Sequence, residues 1–367
     1  MHQAENTEEN VYGFFDDERR EYVITNPETP YPWINYLGNQ EFFSLISNTA
    51  GGYSFYRDAR FRRLTRYRYN NVPVDDGGRY YYIRHNESIW SPGWKPCRTE
   101  LDDYECRHGL GYTRIAGEKD RLQVSVLYLV PNGDNTEVQL VTLTNNSPES
   151  RSFKLYSLAE WCLWNADDDA ANFQRNFSTG EVEVEGSVLF HKTEFRERRN
   201  HYAFYSVNET IAGFETDRDT FLGAYNGFDN PQAVVDGEPQ NSFAHGWSPI
   251  ASHCIDIALE PGEKRELVFQ LGYVEVDDNE KFASPGVINK QPALDLIARY
   301  DTPEKVTAAF DALAEYWDDL LSRFSLRSHD KRLDRMVNIW NQYQCMVTFN
   351  MSRSASFFEA GIGRGMG

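Results

Sequence analysis

The sequence ends on "ASFFEAGIGRGMG", with glycines at 361, 363, 365 and 367 around Arg364, and with Arg353 a short way upstream. Glycines spaced in this way let a backbone turn sharply beside a ligand or another chain. Arg353 and Arg364 then offer planar fork donors to hydroxyls or to a phosphate, or act as structural clamps, and the sequence leaves both roles open. A dinucleotide fingerprint needs a strand before such glycines and a helix after them; a helix and a polar loop precede these and nothing follows. The ending reads as a cut.

A second group is "EWCLWNADDDAANFQRNFSTGEVEVEG", residues 160–186, where three consecutive aspartates stand among Asn165, Asn172, Gln174 and Asn176. The twelve-residue calcium loop with its central glycine and closing glutamate is missing, so the aspartates read as a solvated acidic turn and no metal is expected. Side-chain amides both donate and accept, which suits sugar hydroxyls. Upstream, "NTAGGYSFYRDARFRRLTRYRYNNVP", residues 48–73, alternates arginine with tyrosine and phenylalanine. These read as strands whose arginines pair with acidic neighbours. No Ser-His-Asp order, HExxH or Gly-rich loop ending in GK[ST] occurs.

From about residue 11 to 275 the pattern is strands and turns. "DRLQVSVLYLVPNGDNTEVQLVTLTNNS" reads as a hairpin through Asn132–Gly133, and "IDIALEPGEKRELVFQLGYVEV" as another through Pro261–Gly262. Meanders on this scale predict a mainly β protein built on a large antiparallel β-sandwich. Segments such as "GEVEVEGSVLFHKTEF" fit half-exposed strands. Near 280 the pattern changes: "NEKFASPGVINKQ" is a polar linker, Thr302–Pro303 starts a helix, and Val306, Phe310, Leu313, Trp317, Leu320, Leu321 and Phe324 share a face. A second helix runs from about Ser328, with Leu333, Met336, Val337, Trp340 and Val347 on its face.

The chain has 367 residues, 37 basic against 56 acidic, and a net charge of -19. That charge repels phosphate backbones and anionic membranes, so neither nucleic acid nor membrane is expected as a partner, whereas a neutral sugar meets no such repulsion. Cys97, Cys106, Cys162, Cys254 and Cys345 are odd in number and widely spaced, which suggests reduced thiols and a cytoplasmic location. No apolar export segment or membrane span is visible.

Four stretches together resemble the inverting disaccharide phosphorylases of glycoside hydrolase family 94. They are "YVITNPETPYPWINYLGNQEFFSLISNTAGGYSFYRDARFRRLTRYRYNNVP", "EWCLWNADDDAANFQRNFSTGEVEVEGS", "HKTEFRERRNHYAFYSVN" and "WNQYQCMVTFNMSRSASFFEAGIGRGMG". The resemblance runs from about residue 11 to the end. It implies a sandwich over 1–280, a helical linker over 281–325, and over 326–367 the first helix of an (α/α)6 barrel that carries the active site. It further implies phosphorolysis of cellobiose to α-glucose 1-phosphate and glucose, with inorganic phosphate as co-substrate and no cofactor. Phosphorolysis of a cellodextrin, laminaribiose or chitobiose is the alternative within the family, and a non-catalytic carbohydrate-binding sandwich the alternative outside it.

On this resemblance Arg364 and Arg353 belong to the -1 sugar site. The general acid and the phosphate-binding residues lie beyond Gly367, so this chain alone holds no catalytic residue and is expected to be inactive. The family's homodimers imply a sandwich that covers the neighbour's active site; the 165–177 loop takes that role here, with Asn165, Asn172 and Gln174 near the acceptor.

Overall fold

The computed structural model describes residues 11–352, except 39, 69–71 and 197. The expected sandwich is present, as one antiparallel sheet of eleven strands facing another of nine. The larger sheet runs from Gly13–Asp16 at one edge, through Leu122–Leu129, Thr136–Asn145 and Lys264–Glu275, to His245–Gly246 at the other. The smaller is organised on the 14-residue strand Arg151–Trp164. Pro249–Leu259 pairs along one side of that strand; Arg79–His85 and then Arg63–Thr65 pair along the other.

Side chains alternate across each strand, so inward positions of the two sheets merge in one core that includes Val124, Val141, Leu155, Ile255 and Leu271. Arg79 and Tyr81 inside this core find polar partners across the sheets. Arg79 faces Glu137 at 2.9 Å, and the Tyr81 hydroxyl donates to Gln139.

The Asn132–Gly133 hairpin forms as expected, with Gly133 at a φ of 83°. Pro261–Gly262 does not close a hairpin. The strand before it, Pro249–Leu259, belongs to the smaller sheet and the strand after it, Lys264–Glu275, to the larger, so this turn is an arch between layers. Turn residues specify a chain reversal but not which sheet receives the returning strand. Wholly buried Asn145 ties that arch to the one at 146–150: its nitrogen reaches the carbonyl oxygens of Glu149, Leu259 and Glu260, and its oxygen accepts from the Ser147 backbone and hydroxyl.

Short helices interrupt the strands at Ala166–Ala170, Gln174–Phe177, Arg218–Leu222 and Gln232–Asp236. The expected polar linker contains a small hairpin, Phe282–Ser284 against Val287–Ile288. Beyond helix Gln291–Ile297, the helix Pro303–Leu321 starts where predicted, with the Thr302 hydroxyl accepting from the Lys305 backbone. Its Val306, Leu313 and Trp317 bury against Leu127, Leu129, Val138 and Val268 on the outer face of the larger sheet. Each such side chain contributes about 1.5–3 kcal/mol.

Two residues assigned to helix faces depart from expectation, Phe324 at 58% exposed and Leu333 at 47%. Leu333 lies in Lys331–Arg335, before the helix widens to a π turn over Met336–Trp340 and continues as Asn341–Ser352. The wider turn changes the register between the two halves, and the docked face is Trp340, Tyr343 and Val347. The Gln342 amide donates to the Val337 carbonyl inside this turn at 3.0 Å.

Candidate functional site

The long strand ends at Trp164, wholly buried yet at a φ of 67°, a region that bulky residues rarely enter. Packing holds it there: its ring lies 4.3 Å from that of His201, centroid to centroid, and 5.8 Å from that of His191. This backbone turn takes the chain off the sheet and into 165–177. Burial holds both imidazoles neutral; it pushes His191 down to about 3 and lowers His201 as well.

Asn165 is buried and caps the following short helix, its oxygen accepting from the backbones of Asp167 and Asp168 at 3.1 Å each. Gln174 is also buried and accepts from the Leu163 backbone at 3.3 Å, while its nitrogen has no partner among the described residues. Asn172 is exposed at a φ of 61°, and its neighbour Phe173 is 54% exposed. Of the three amides, Asn172 alone is presented to solvent; the other two lie beneath the surface of the loop. Arg353 and Arg364 lie outside the described residues.

The three aspartates are not a solvated turn. Asp167 pairs with Arg60 at 2.5 Å, Asp168 with Arg196 at 3.2 Å, and buried Asp169 with Arg66 at 2.7 Å and Arg68 at 3.3 Å. Arg60, Arg66, Arg68 and Arg196 take much of the place of solvent, and the expected pairing of the upstream arginines with acidic residues is present at Arg60, Arg62, Arg66 and Arg68, while Arg63 donates to the Ala59 carbonyl. Arg66 also meets Glu160, which takes Arg218 at 3.0 Å from another direction. Burial opposes the charge on Arg66, but Glu160 and Asp169 more than offset it and the guanidinium stays protonated. Among the described residues no group of His, Cys, Asp and Glu is arranged to hold a metal ion.

These pairs join three segments into one rim. The Tyr67 hydroxyl donates to Asp75 at 3.0 Å beside the Pro27–Pro32 and Trp94–Arg98 loops. Arg218 brings in Asp219 at 3.6 Å, and Arg175 lies 5.6 Å from the exposed ring of Trp247. Glu160, Arg218 and Trp247 are not legible as members of this rim from residue order, because their partners are remote in the chain. Such a rim holds a loop rigidly and displays an amide and an aromatic face, which suits recognition of a polyol.

On another part of the sandwich, the helical region docks through Tyr343. Its hydroxyl accepts from the Gly111 backbone at 2.9 Å and reaches the Asn35 oxygen, also at 2.9 Å. Arg335 pairs with Asp17 nearby. A cavity of about 330 Å³ lies at this junction, lined by Tyr22, Trp33, Tyr36, Met336 and Trp340 among others. Asn341–Ser352 is the helix that leads toward Arg353.

Comparison with known proteins finds two family models. "Glycosyl hydrolase 94, supersandwich domain" matches residues 20–303, and "Glycosyl hydrolase 94 superfamily, catalytic domain" matches residues 316–367. The chain is similar to N,N'-diacetylchitobiose phosphorylases of Vibrio furnissii and Vibrio proteolyticus, at 33% identity over 97% of its length in each case. It is similar to a solabiose phosphorylase of Paenibacillus borealis at 27% identity over 94% of its length. The chain spans 43% of the length of each of these relatives. No described helix is long and apolar enough to cross a membrane.

Proposed function

The chain belongs to the glycosyl hydrolase 94 family, and from that premise we propose that the whole polypeptide is an inverting phosphorylase of a β-linked disaccharide, with this chain supplying the sandwich and the first part of the catalytic domain. The observation that carries the reading is the similarity, over nearly the whole chain, to two disaccharide phosphorylases. An inverting glycosidase uses one carboxylic acid to protonate the leaving oxygen and one carboxylate to activate water. A phosphorylase keeps the acid and uses phosphate, already an anionic nucleophile, in place of activated water, so no metal or organic cofactor is needed.

The substrate that the family resemblance implies is cellobiose, giving α-glucose 1-phosphate and glucose. The Vibrio relatives favour a second reading, N,N'-diacetylchitobiose. In both, Arg353 and Arg364 bind the sugar at the -1 position. Asn172 on the 165–177 loop faces the acceptor, with Asn165 and Gln174 shaping the loop beneath it. We assign the loop to the active site of a second copy in a cytoplasmic homodimer, which sedimentation of the whole polypeptide tests.

The deciding experiment follows phosphate-dependent release of the sugar 1-phosphate from cellobiose, N,N'-diacetylchitobiose, laminaribiose and a cellodextrin. Turnover of one of these by the whole polypeptide, with none by residues 1–367, supports the reading. A general acid contributes roughly 10²-fold to 10⁴-fold, so a chain without one falls below detection. Turnover of none of the four refutes these substrates, and solabiose is then the sugar to try; failure on it as well makes the carbohydrate-binding sandwich the better account.

A further inference from the structure

We propose that the cleft bordered by Thr179, Asp217, Asp219, His245 and Trp247 is a binding subsite for a neutral pyranose of an oligosaccharide, with the Trp247 indole as its stacking face. The cleft encloses about 310 Å³ and lies on the sandwich itself, beside the 165–177 loop. That volume is at the lower end of the range for small-molecule sites and suits one or two sugar rings. The assignment to sugar rests on the phosphorylase reading; the cleft and its chemistry do not.

Trp247 is 54% exposed, which for the largest apolar side chain is an unfavourable arrangement unless something covers it. It is nevertheless held in place. His245–Gly246 pairs with Gly180–Glu181 on one side of it, and Pro249 begins the long strand on the other. The Ser248 carbonyl accepts from the Arg218 backbone at 3.1 Å. The backbone that carries the indole is thus fixed between two strands, so little backbone entropy is lost when a ligand stacks on the ring. The wall beside Gly246 is open, since a Cβ there would meet nothing within 4 Å.

The polar groups around the indole are acceptors and hydroxyls. Asp217 uses one carboxylate oxygen, Oδ2, to cap Arg218–Leu222 through the Thr220 backbone at 2.9 Å and hydroxyl at 2.8 Å; Oδ1 accepts no bond among the described residues. Asp219 is 80% exposed and Thr179 adds a hydroxyl. Carboxylates accept strongly from hydroxyl pairs, while the C–H face of a pyranose packs on an aromatic ring. An anion is disfavoured by Asp217, Asp219 and the Glu181 beside His245 at 3.3 Å. A cation is disfavoured by like-charge repulsion from the guanidinium of Arg175, 5.6 Å from the centroid of the indole, and from that of Arg218, 3.6 Å from Asp219.

Cellotetraose and N,N'-diacetylchitobiose are titrated into this chain by calorimetry, with saturation-transfer NMR on the sugar, for the parent, Trp247→Ala and Trp247→Phe. The expected result is binding of at least one sugar, weakened about tenfold or more by Trp247→Ala and substantially retained by Trp247→Phe, with unfolding curves unchanged. Equal affinity in the parent and Trp247→Ala overturns the proposal, as does no binding of either sugar at millimolar concentration. The two readings fail separately. Trp247-dependent binding in a polypeptide that performs no phosphorolysis refutes the phosphorylase alone; normal phosphorolysis with sugar binding indifferent to Trp247 refutes this subsite alone.

Discussion

Arg66 and Asp169, 103 residues apart in the chain, meet at 2.7 Å with both side chains almost wholly buried, and Glu160 completes the contact from the long central strand. This relationship fixes the 165–177 loop against the sandwich. Buried ion pairs add little net stability, because desolvation opposes the Coulomb attraction, but they penalise any other arrangement heavily.

Asp169→Ala should therefore destabilise the chain by about 3 kcal/mol in urea unfolding, because it leaves buried Arg66 with Glu160 alone and half-buried Arg68 without this carboxylate. An Arg66→Met, Asp169→Leu double variant should recover a large part of the loss. If it does so while protease sensitivity within 165–177 stays high, the pair sets geometry more than stability.

Burial holds His191 and His253 down to about 3 and His108 down to about 4, against an unfolded value near 6.5. The unfolded chain thus binds protons that the folded chain refuses. Stability is full above about pH 6.5 and falls as pH drops from there toward 4, by up to about 1.4 kcal/mol per pH unit for each histidine. His191→Phe, which preserves a ring between the two tryptophans, should flatten this slope between pH 6 and 5 by up to one proton's worth. Urea unfolding at pH 7, 6 and 5 checks it.

Tyr343→Phe removes one hydroxyl that serves both Gly111 and Asn35. The unfilled backbone donor should cost about 1–3 kcal/mol. Hydrogen exchange should rise at Gly111 and along Asn341–Ser352, while amides of the central strand Arg151–Trp164 keep their protection.

Asn172→Ala in the whole polypeptide should weaken acceptor binding, raising its KM about fivefold to tenfold, and leave the KM for phosphate unchanged. A neutral hydrogen bond of about 1 kcal/mol accounts for the lower figure. Unchanged acceptor KM would remove Asn172 from the site.

The amino-acid order alone determined much of the fold. Alternating hydrophobicity with Asn132–Gly133 specified a hairpin, because period-two patterning and a left-handed glycine act within a few residues. Thr302–Pro303 specified a helix start for the same local reason, and Arg60, Arg62, Arg66 and Arg68 were legible as ion-pair members from the chain's composition. Tertiary structure decided the rest. Pro261–Gly262 reverses the chain in either of two ways, and only the register of Lys264–Glu275 against Thr136–Asn145 makes it an arch. Asn165 and Gln174 look like exposed sugar ligands in a polar stretch; the left-handed turn at Trp164 buries both and presents Asn172. Glu160, Asp169 and Arg218 become one hub only when distant strands pack, since ion pairing depends on distance in space and carries no periodic signal along the chain.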